Sequence, residues 1–168
     1  AMVGNTPTLR MPRASEWASR ISRCAVSASS RMRAARGRNS SPAAVSFTPG
    51  VPLTLGATGL LNALDLRTGR LLWSRNILKD NNGVEPEWGV AISPLVHGGR
   101  VIVAAGGKPD KALVAYDRNT GEPAWTAGSS GLAYSSPVVM TLGGLEQIVV
   151  LNKDSAAGHD PQSGTLLW

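Results

Sequence analysis

Cysteine is almost missing from this 168-residue chain: Cys24 is the only one, so no disulfide can form within it and the redox compartment stays open. Arg23, directly before Cys24, argues against a lipoprotein cleavage site. No apolar run approaches the roughly 20 residues that a membrane-spanning helix needs. Arginines also interrupt the place where the apolar stretch of a secretory signal would sit, so no export signal is visible. Histidine is scarce too. His97 and His159 each lack a Cys or His partner at metal-ligand spacing, which leaves both with ordinary structural roles. The glycine pairs Gly98-Gly99, Gly106-Gly107 and Gly143-Gly144 build neither a G-x-G-x-x-G fingerprint nor a phosphate loop, and they read as hairpin turns.

What the chain has is charge, unevenly placed. Its formal charge is +6, which resembles a nucleic-acid signal until it is divided. Residues 1–41 carry eight arginines against one acid, Glu16, whereas the remainder holds nine basic and ten acidic residues. The repeats described next are therefore near neutral. Residues 1–40 form an Arg/Ser/Ala-rich leader with no sustained period of 2 or 3.6, apart from a thin apolar stripe over Glu16–Val26 that could make a short helix. Three readings of it stand: a solvated, unstructured segment, an Arg-rich tail that neutralises phosphates, or out-of-frame translation ahead of an in-register repeat.

The remainder is organised by a repeat. ALDLRTGRLLW at Ala63–Trp73 returns as AYDRNTGEPAW at Ala115–Trp125 and as GHDPQSGTLLW at Gly158–Trp168. A second landmark keeps step: Ser41-Pro42, Ser93-Pro94 and Ser136-Pro137 each lie 24 residues before the motif aspartate (Asp65, Asp117, Asp160). Periods of this size indicate propellers, solenoids or arrays. The second copy reads as four short strands, Ser93–Val96, Arg100–Ala105, Ala112–Tyr116 and Pro123–Thr126. The third reads as Ser136–Met140, Gln147–Asn152, Ala156–His159 and Thr165–Trp168. In the first copy, Pro49, Gly50 and Pro52 degrade the early part, and the pattern recovers from Leu53, with strands at Leu60–Leu64 and Arg70–Ser74. Four strands per repeat is the content of a propeller blade. The expected fold is all-β: a partial β-propeller of two to three four-stranded antiparallel blades. The expected domains are the leader at 1–40 and the repeats at 41–168, with blades at 41–73, 88–125 and 131–168.

The motif has a physical logic. An aspartate at the head of Asp-x-x-Thr-Gly can accept hydrogen bonds from amides two and three residues on, and the glycine supplies the positive φ that closes the turn. The tryptophan then returns at a fixed depth on the next strand, where its ring can pack against the neighbouring blade. An indole buries on the order of 200 Å², worth several kcal/mol at about 25 cal/mol per Å². Recurrence at one position per repeat makes turn formation, not acid–base catalysis, the reading for the aspartates, and packing the reading for the tryptophans. Trp88 lies outside the motif, after a polar loop that makes the first linker nine residues longer than the second, and reads either as packing or as a surface or ligand contact. Glu85 and Glu87 flank Pro86 there and read as a solvated acidic loop, since a hard cation needs more oxygens than they supply.

Ala-x-Asp-x-x-Thr-Gly-x-x-x-Trp resembles the tryptophan-docking motif of the pyrroloquinoline-quinone-like (quinoprotein-like) β-propellers. Ala63, Asp65, Thr68, Gly69 and Trp73 match it in full, as do Ala115, Asp117, Thr120, Gly121 and Trp125; Asp160, Gly164 and Trp168 match with Gly158 and Ser163 substituted. WGVAISPLV at Trp88–Val96 and AYSSPV at Ala133–Val138 resemble the family's innermost strands. The resemblance implies four-stranded blades in a ring, commonly of eight, each tryptophan docking on the next blade, so three units imply a fragment. Some members are dehydrogenases that hold pyrroloquinoline quinone and Ca²⁺ and oxidise alcohols or sugars, often with a vicinal cysteine pair. Others resemble the outer-membrane β-barrel assembly lipoprotein B and act as scaffolds without a cofactor. No cysteine pair exists here, and no residue matches the calcium ligands or the catalytic base. The resemblance therefore implies a non-enzymatic scaffold at the periplasm or cell envelope with no catalytic, cofactor or metal residues. Its partners would be proteins and the remaining blades of a parent propeller, not nucleic acid. The alternative is a piece of a quinone- and calcium-dependent dehydrogenase whose catalytic groups lie elsewhere.

Overall fold

The computed structural model describes residues 42–46 and 50–168; the leader, with the candidate helix over Glu16–Val26, lies outside them. The described chain forms three antiparallel sheets in sequence. The first contains β1 (Pro42–Ser46), β2 (Leu53–Gly56), β3 (Leu60–Leu64) and β4 (Leu71–Asn76). The second contains β5 (Leu95–His97), β6 (Arg100–Gly107), β7 (Lys111–Asp117) and β8 (Pro123–Ala127). The third contains β9 (Val138–Leu142), β10 (Leu145–Leu151) and β11 (Ala156–His159). Each is a simple meander in which neighbours in sequence are neighbours in space, and the result is a partial β-propeller.

One row of side chains crosses each sheet at the same place. In the first it runs Leu53–Ala63–Trp73. In the second it runs Leu95–Ile102–Ala115–Trp125. In the third it begins Val138–Val149–Gly158, and Trp168 closes it through the Gly158 amide, which donates to the Trp168 carbonyl at 3.1 Å. Because side chains alternate across a strand, each row marks the face that looks forward along the chain. The middle sheet is covered on both faces, so β6 and β7 are buried almost end to end and are apolar without alternation. One continuous core joins all three sheets, from Leu53 and Ala63 through Ile102 and Val114 to Ile148 and Val150. The forward face of the third sheet is different: Val138, Met140, Leu142, Leu145 and Leu151 are exposed on it.

The structure corrects the sequence reading in three places. The innermost strands begin at Leu95 and Val138, two residues later than Ser93 and Ser136. Pro94 and Pro137 have no amide to give a ladder, and the Ser93 amide donates to the Ser136 hydroxyl at 2.8 Å instead. The fourth strand of the third sheet shrinks to a bridge between His159 and Leu166. In the first sheet β2 starts at Leu53, as the sequence reading expects, after Pro52, whose carbonyl accepts from the Leu64 amide at 3.0 Å. Gly106-Gly107 is not a hairpin turn but a bulge inside β6, where the register to β7 shifts. A Cβ at Gly107 would stand 1.7 Å from the Asn81 carbonyl oxygen, so the bulge lets the preceding loop press against the strand.

Candidate functional site

The two ends of the sheets carry different chemistry. At one end lie the three aspartate turns, built alike. The Asp65 Oδ1 accepts from the Arg67 amide (3.1 Å), the Thr68 amide (2.7 Å) and the Thr68 hydroxyl (2.7 Å). The Asp117 Oδ1 accepts from the Asn119 amide (2.9 Å) and from the Thr120 amide (2.9 Å) and hydroxyl (3.1 Å). Asp160 does the same with Gln162 at 2.9 Å and with both the amide and hydroxyl of Ser163 at 2.8 Å. Serine serves in the third copy because only the hydroxyl is used. Gly69, Gly121 and Gly164 close the turns at φ of 71, 74 and 75°. These bonds hold all three carboxyls below the usual carboxylate range. The leading cause is the Thr68 hydroxyl at Asp65, the Thr120 amide at Asp117 and the Ser163 amide at Asp160. A carboxylate held ionised by its own turn is a poor proton acceptor.

The tryptophans meet the turn of the following sheet. The Trp73 ring lies against Gly121, where a Cβ would stand 2.6 Å from it, and its Nε1 donates to the Arg118 carbonyl at 2.9 Å. Arg75, two residues on and therefore on the same face, donates to the Gly121 carbonyl at 2.7 Å and pairs with Glu122. The Trp125 ring lies in the same way against Gly164, but its Nε1 is buried without an acceptor. Arg100 crosses the same junction to the Gln162 carbonyl at 2.6 Å. Trp168 folds back over its own sheet and donates to the Gln147 Oε1 at 2.7 Å. Gly158 allows this, since the alanine of the other copies would put a Cβ 2.4 Å from the Trp168 Nε1.

The two histidines have structural partners. His97 Nε2 lies 3.0 Å from Glu146 in the third sheet. His159 is buried with Nδ1 2.9 Å from the Gly164 carbonyl. Among the described residues no group of three His, Cys, Asp or Glu side chains could hold a metal ion, and no helix is long and apolar enough to cross a membrane.

At the opposite end, the linkers between sheets stack on the β2–β3, β6–β7 and β10–β11 turns. The long first linker is tied down along its length. The Gly83 amide donates to Leu78 (2.8 Å), Gly89 to Pro86 (2.9 Å) and Val90 to Ala57 (2.7 Å). The Trp88 amide donates to the Tyr134 hydroxyl of the second linker at 3.0 Å. With its backbone fixed, the loop still leaves Trp88 75% exposed, Val84 80% and Tyr134 50%. Of the two readings of Trp88, packing is overturned: its indole faces solvent. Sequence reasoning missed Tyr134 and Val84. The nine-residue excess of the first linker was the available signal, because loops carry surface contacts.

The family model described as outer membrane protein assembly factor BamB matches residues 17–168. No curated protein matches the chain. Solved structures similar to it include BamB from Moraxella catarrhalis, 24% identical over 74% of this chain and 34% of that one, with a TM-score of 0.49. The computationally designed Ika8 protein is 18% identical over 79% and 37%, with a TM-score of 0.53. Quinohemoprotein alcohol dehydrogenase ADHIIG from Pseudomonas putida HK5 is 17% identical over 74% and 25%, with a TM-score of 0.53. The chain thus spans about a third of the Moraxella protein and a quarter of the dehydrogenase, and the likeness to Ika8 and to the dehydrogenase speaks for the fold alone. Three copies of one turn, three meander sheets and a family match over nearly the whole chain lead to one conclusion: this chain belongs to the PQQ-like β-propeller repeat family that includes the outer membrane protein assembly factor BamB.

Proposed function

We propose that the chain is part of a non-enzymatic propeller scaffold that binds protein partners at the bacterial cell envelope. The observation that carries this reading is the fixed first linker with Val84 and Trp88 turned to solvent, tied to the half-exposed Tyr134 of the second linker. A large aromatic side chain held out by an ordered backbone is what protein interfaces use as an anchor. Membership in a family described by an outer membrane assembly factor supports the envelope location. The recurring residues Ala63, Asp65, Thr68, Gly69 and Trp73, with their counterparts in the other two repeats, act here as a tryptophan-docking motif. They build the support and take no part in chemistry. The working unit is residues 41–168, and the forward face of its third sheet receives further propeller blades.

The test is cofactor uptake. Pyrroloquinoline quinone and Ca²⁺ are added to the full-length protein with all its propeller blades, and quinone absorbance and dye reduction with alcohols and sugars are followed. The scaffold reading expects neither signal. Stoichiometric quinone uptake with dye reduction would overturn it in favour of a dehydrogenase.

A further inference from the structure

The described repeats carry ten acidic side chains, and seven have an internal partner. Asp65, Asp117 and Asp160 close their own turns. Asp110 accepts from Ser129 and Asp154 from Ser130. Glu122 pairs with Arg75 and Glu146 with His97. Asp80, Glu85 and Glu87 make no hydrogen bond or ion pair among the described residues, and all three are exposed. They sit on the same linker as Val84 and Trp88. The only cation on that linker is Lys79, so it carries three negative charges against one positive. All three unpaired acids of the described repeats thus lie on one linker, and two of them, Glu85 and Glu87, fall within three residues of Trp88, the most exposed tryptophan of the described chain.

Resting on the scaffold reading, we propose that this linker receives an arginine-bearing segment of a protein partner, with a guanidinium stacked on the Trp88 indole and Glu85 and Glu87 balancing its charge. Arginine fits better than lysine, because its planar guanidinium both stacks on an aromatic face and forks onto a carboxylate. Val84 adds an apolar contact beside it. The same charge repels nucleic acid and anionic lipid. The loop is already ordered by the Tyr134 hydroxyl and the Ala57 carbonyl, so binding need not first order it.

The probe is an alternating glycine–arginine peptide titrated into the isotopically labelled full chain, with the Trp88 indole N–H followed by NMR. Glycine–lysine and glycine–glutamate peptides serve as comparisons. The expected result is a shift of the Trp88 signal with the arginine peptide, a weaker one with lysine and none with glutamate. Trp88→Ala is expected to weaken arginine-peptide binding about fivefold, the size of an exposed cation–π contact. Glu85→Gln with Glu87→Gln is expected to weaken it by a similar factor at low salt and less at high salt. Because Trp88, Glu85 and Glu87 are exposed, these variants leave the core intact, and unchanged chemical shifts in β6 and β7 check this. Equal affinity for the glutamate peptide, affinity unchanged by Trp88→Ala, or no arginine-peptide binding would each overturn the proposal. The scaffold reading would survive any of these results, since it names no partner chemistry and is tested separately by quinone uptake.

Discussion

Trp73 and Trp125 occupy equivalent positions but differ in one atom's fate, and conversion of each to phenylalanine isolates that difference. Both substitutions shorten the ring system and give up on the order of 40 Å² of apolar contact, about 1 kcal/mol. Trp73→Phe also loses the bond from Nε1 to the Arg118 carbonyl, a further cost of about 1 kcal/mol. Trp125→Phe instead removes an N–H that is buried with no acceptor, and an unsatisfied buried donor costs about 1–3 kcal/mol. The first variant is therefore expected to be destabilised by about 2 kcal/mol, and the second to be neutral or more stable, a gap of about 2 kcal/mol or more. Urea unfolding followed by far-UV circular dichroism measures both without relying on tryptophan fluorescence, and equal m-values show that the comparison is fair. Equal losses in the two variants, or a larger loss for Trp125→Phe, would refute the reasoning.

Three further outcomes follow from the same geometry. Gly121→Ala puts a Cβ against the Trp73 ring at a φ of 74°. A loss of about 2–4 kcal/mol is expected in the urea midpoint, together with red-shifted emission from a displaced Trp73. Gly158→Ala restores the residue of the other two copies yet crowds the Trp168 Nε1 and the Gln147 Oε1. The Trp168 indole N–H resonance should lose its hydrogen-bonded shift, and an unmoved resonance would contradict the packing described above. Asp65, Asp117 and Asp160 have native values below the unfolded value of 3.8, so their contribution is present above the unfolded value and is lost as pH falls through the native ones. Stability should decline below about pH 5, and Asp→Asn at all three positions should flatten that decline in urea midpoints measured from neutral to acid pH.

Much of the architecture was legible because local chemistry fixes it. Asp-x-x-Thr-Gly closes on itself through bonds no longer than five residues, so three copies of the string are three copies of the turn. The strands that carry Ala63, Ala115 and Gly158 followed from their distance to those turns. The starts of β5 and β9 were misplaced because a proline can lie in the extended approach to a strand without pairing. Gly106-Gly107 looked like a turn because its reason for being glycine is the Asn81 carbonyl, which comes from the linker behind it and leaves no mark nearby in sequence. Trp88 remained ambiguous for a related cause: an indole at the end of a polar loop is buried or exposed according to which backbone groups the loop finds. Those groups, the Ala57 carbonyl and the Tyr134 hydroxyl, belong to other repeats. The reach of Arg75 could have been read, since it shares a strand face with Trp73 two residues earlier.

The self-sufficiency of the aspartate turns bears on how the molecule assembles. Each receiving seat is complete within its own short stretch of chain, whereas the ring that sits in it arrives from about 45 residues earlier, a loop whose closure carries an entropic cost that short turns avoid. The expected order is therefore seats first and occupants later. Pulse-labelled hydrogen exchange during refolding would register this as early protection of the Gly69 and Gly121 amides, with the Trp73 indole protected only later.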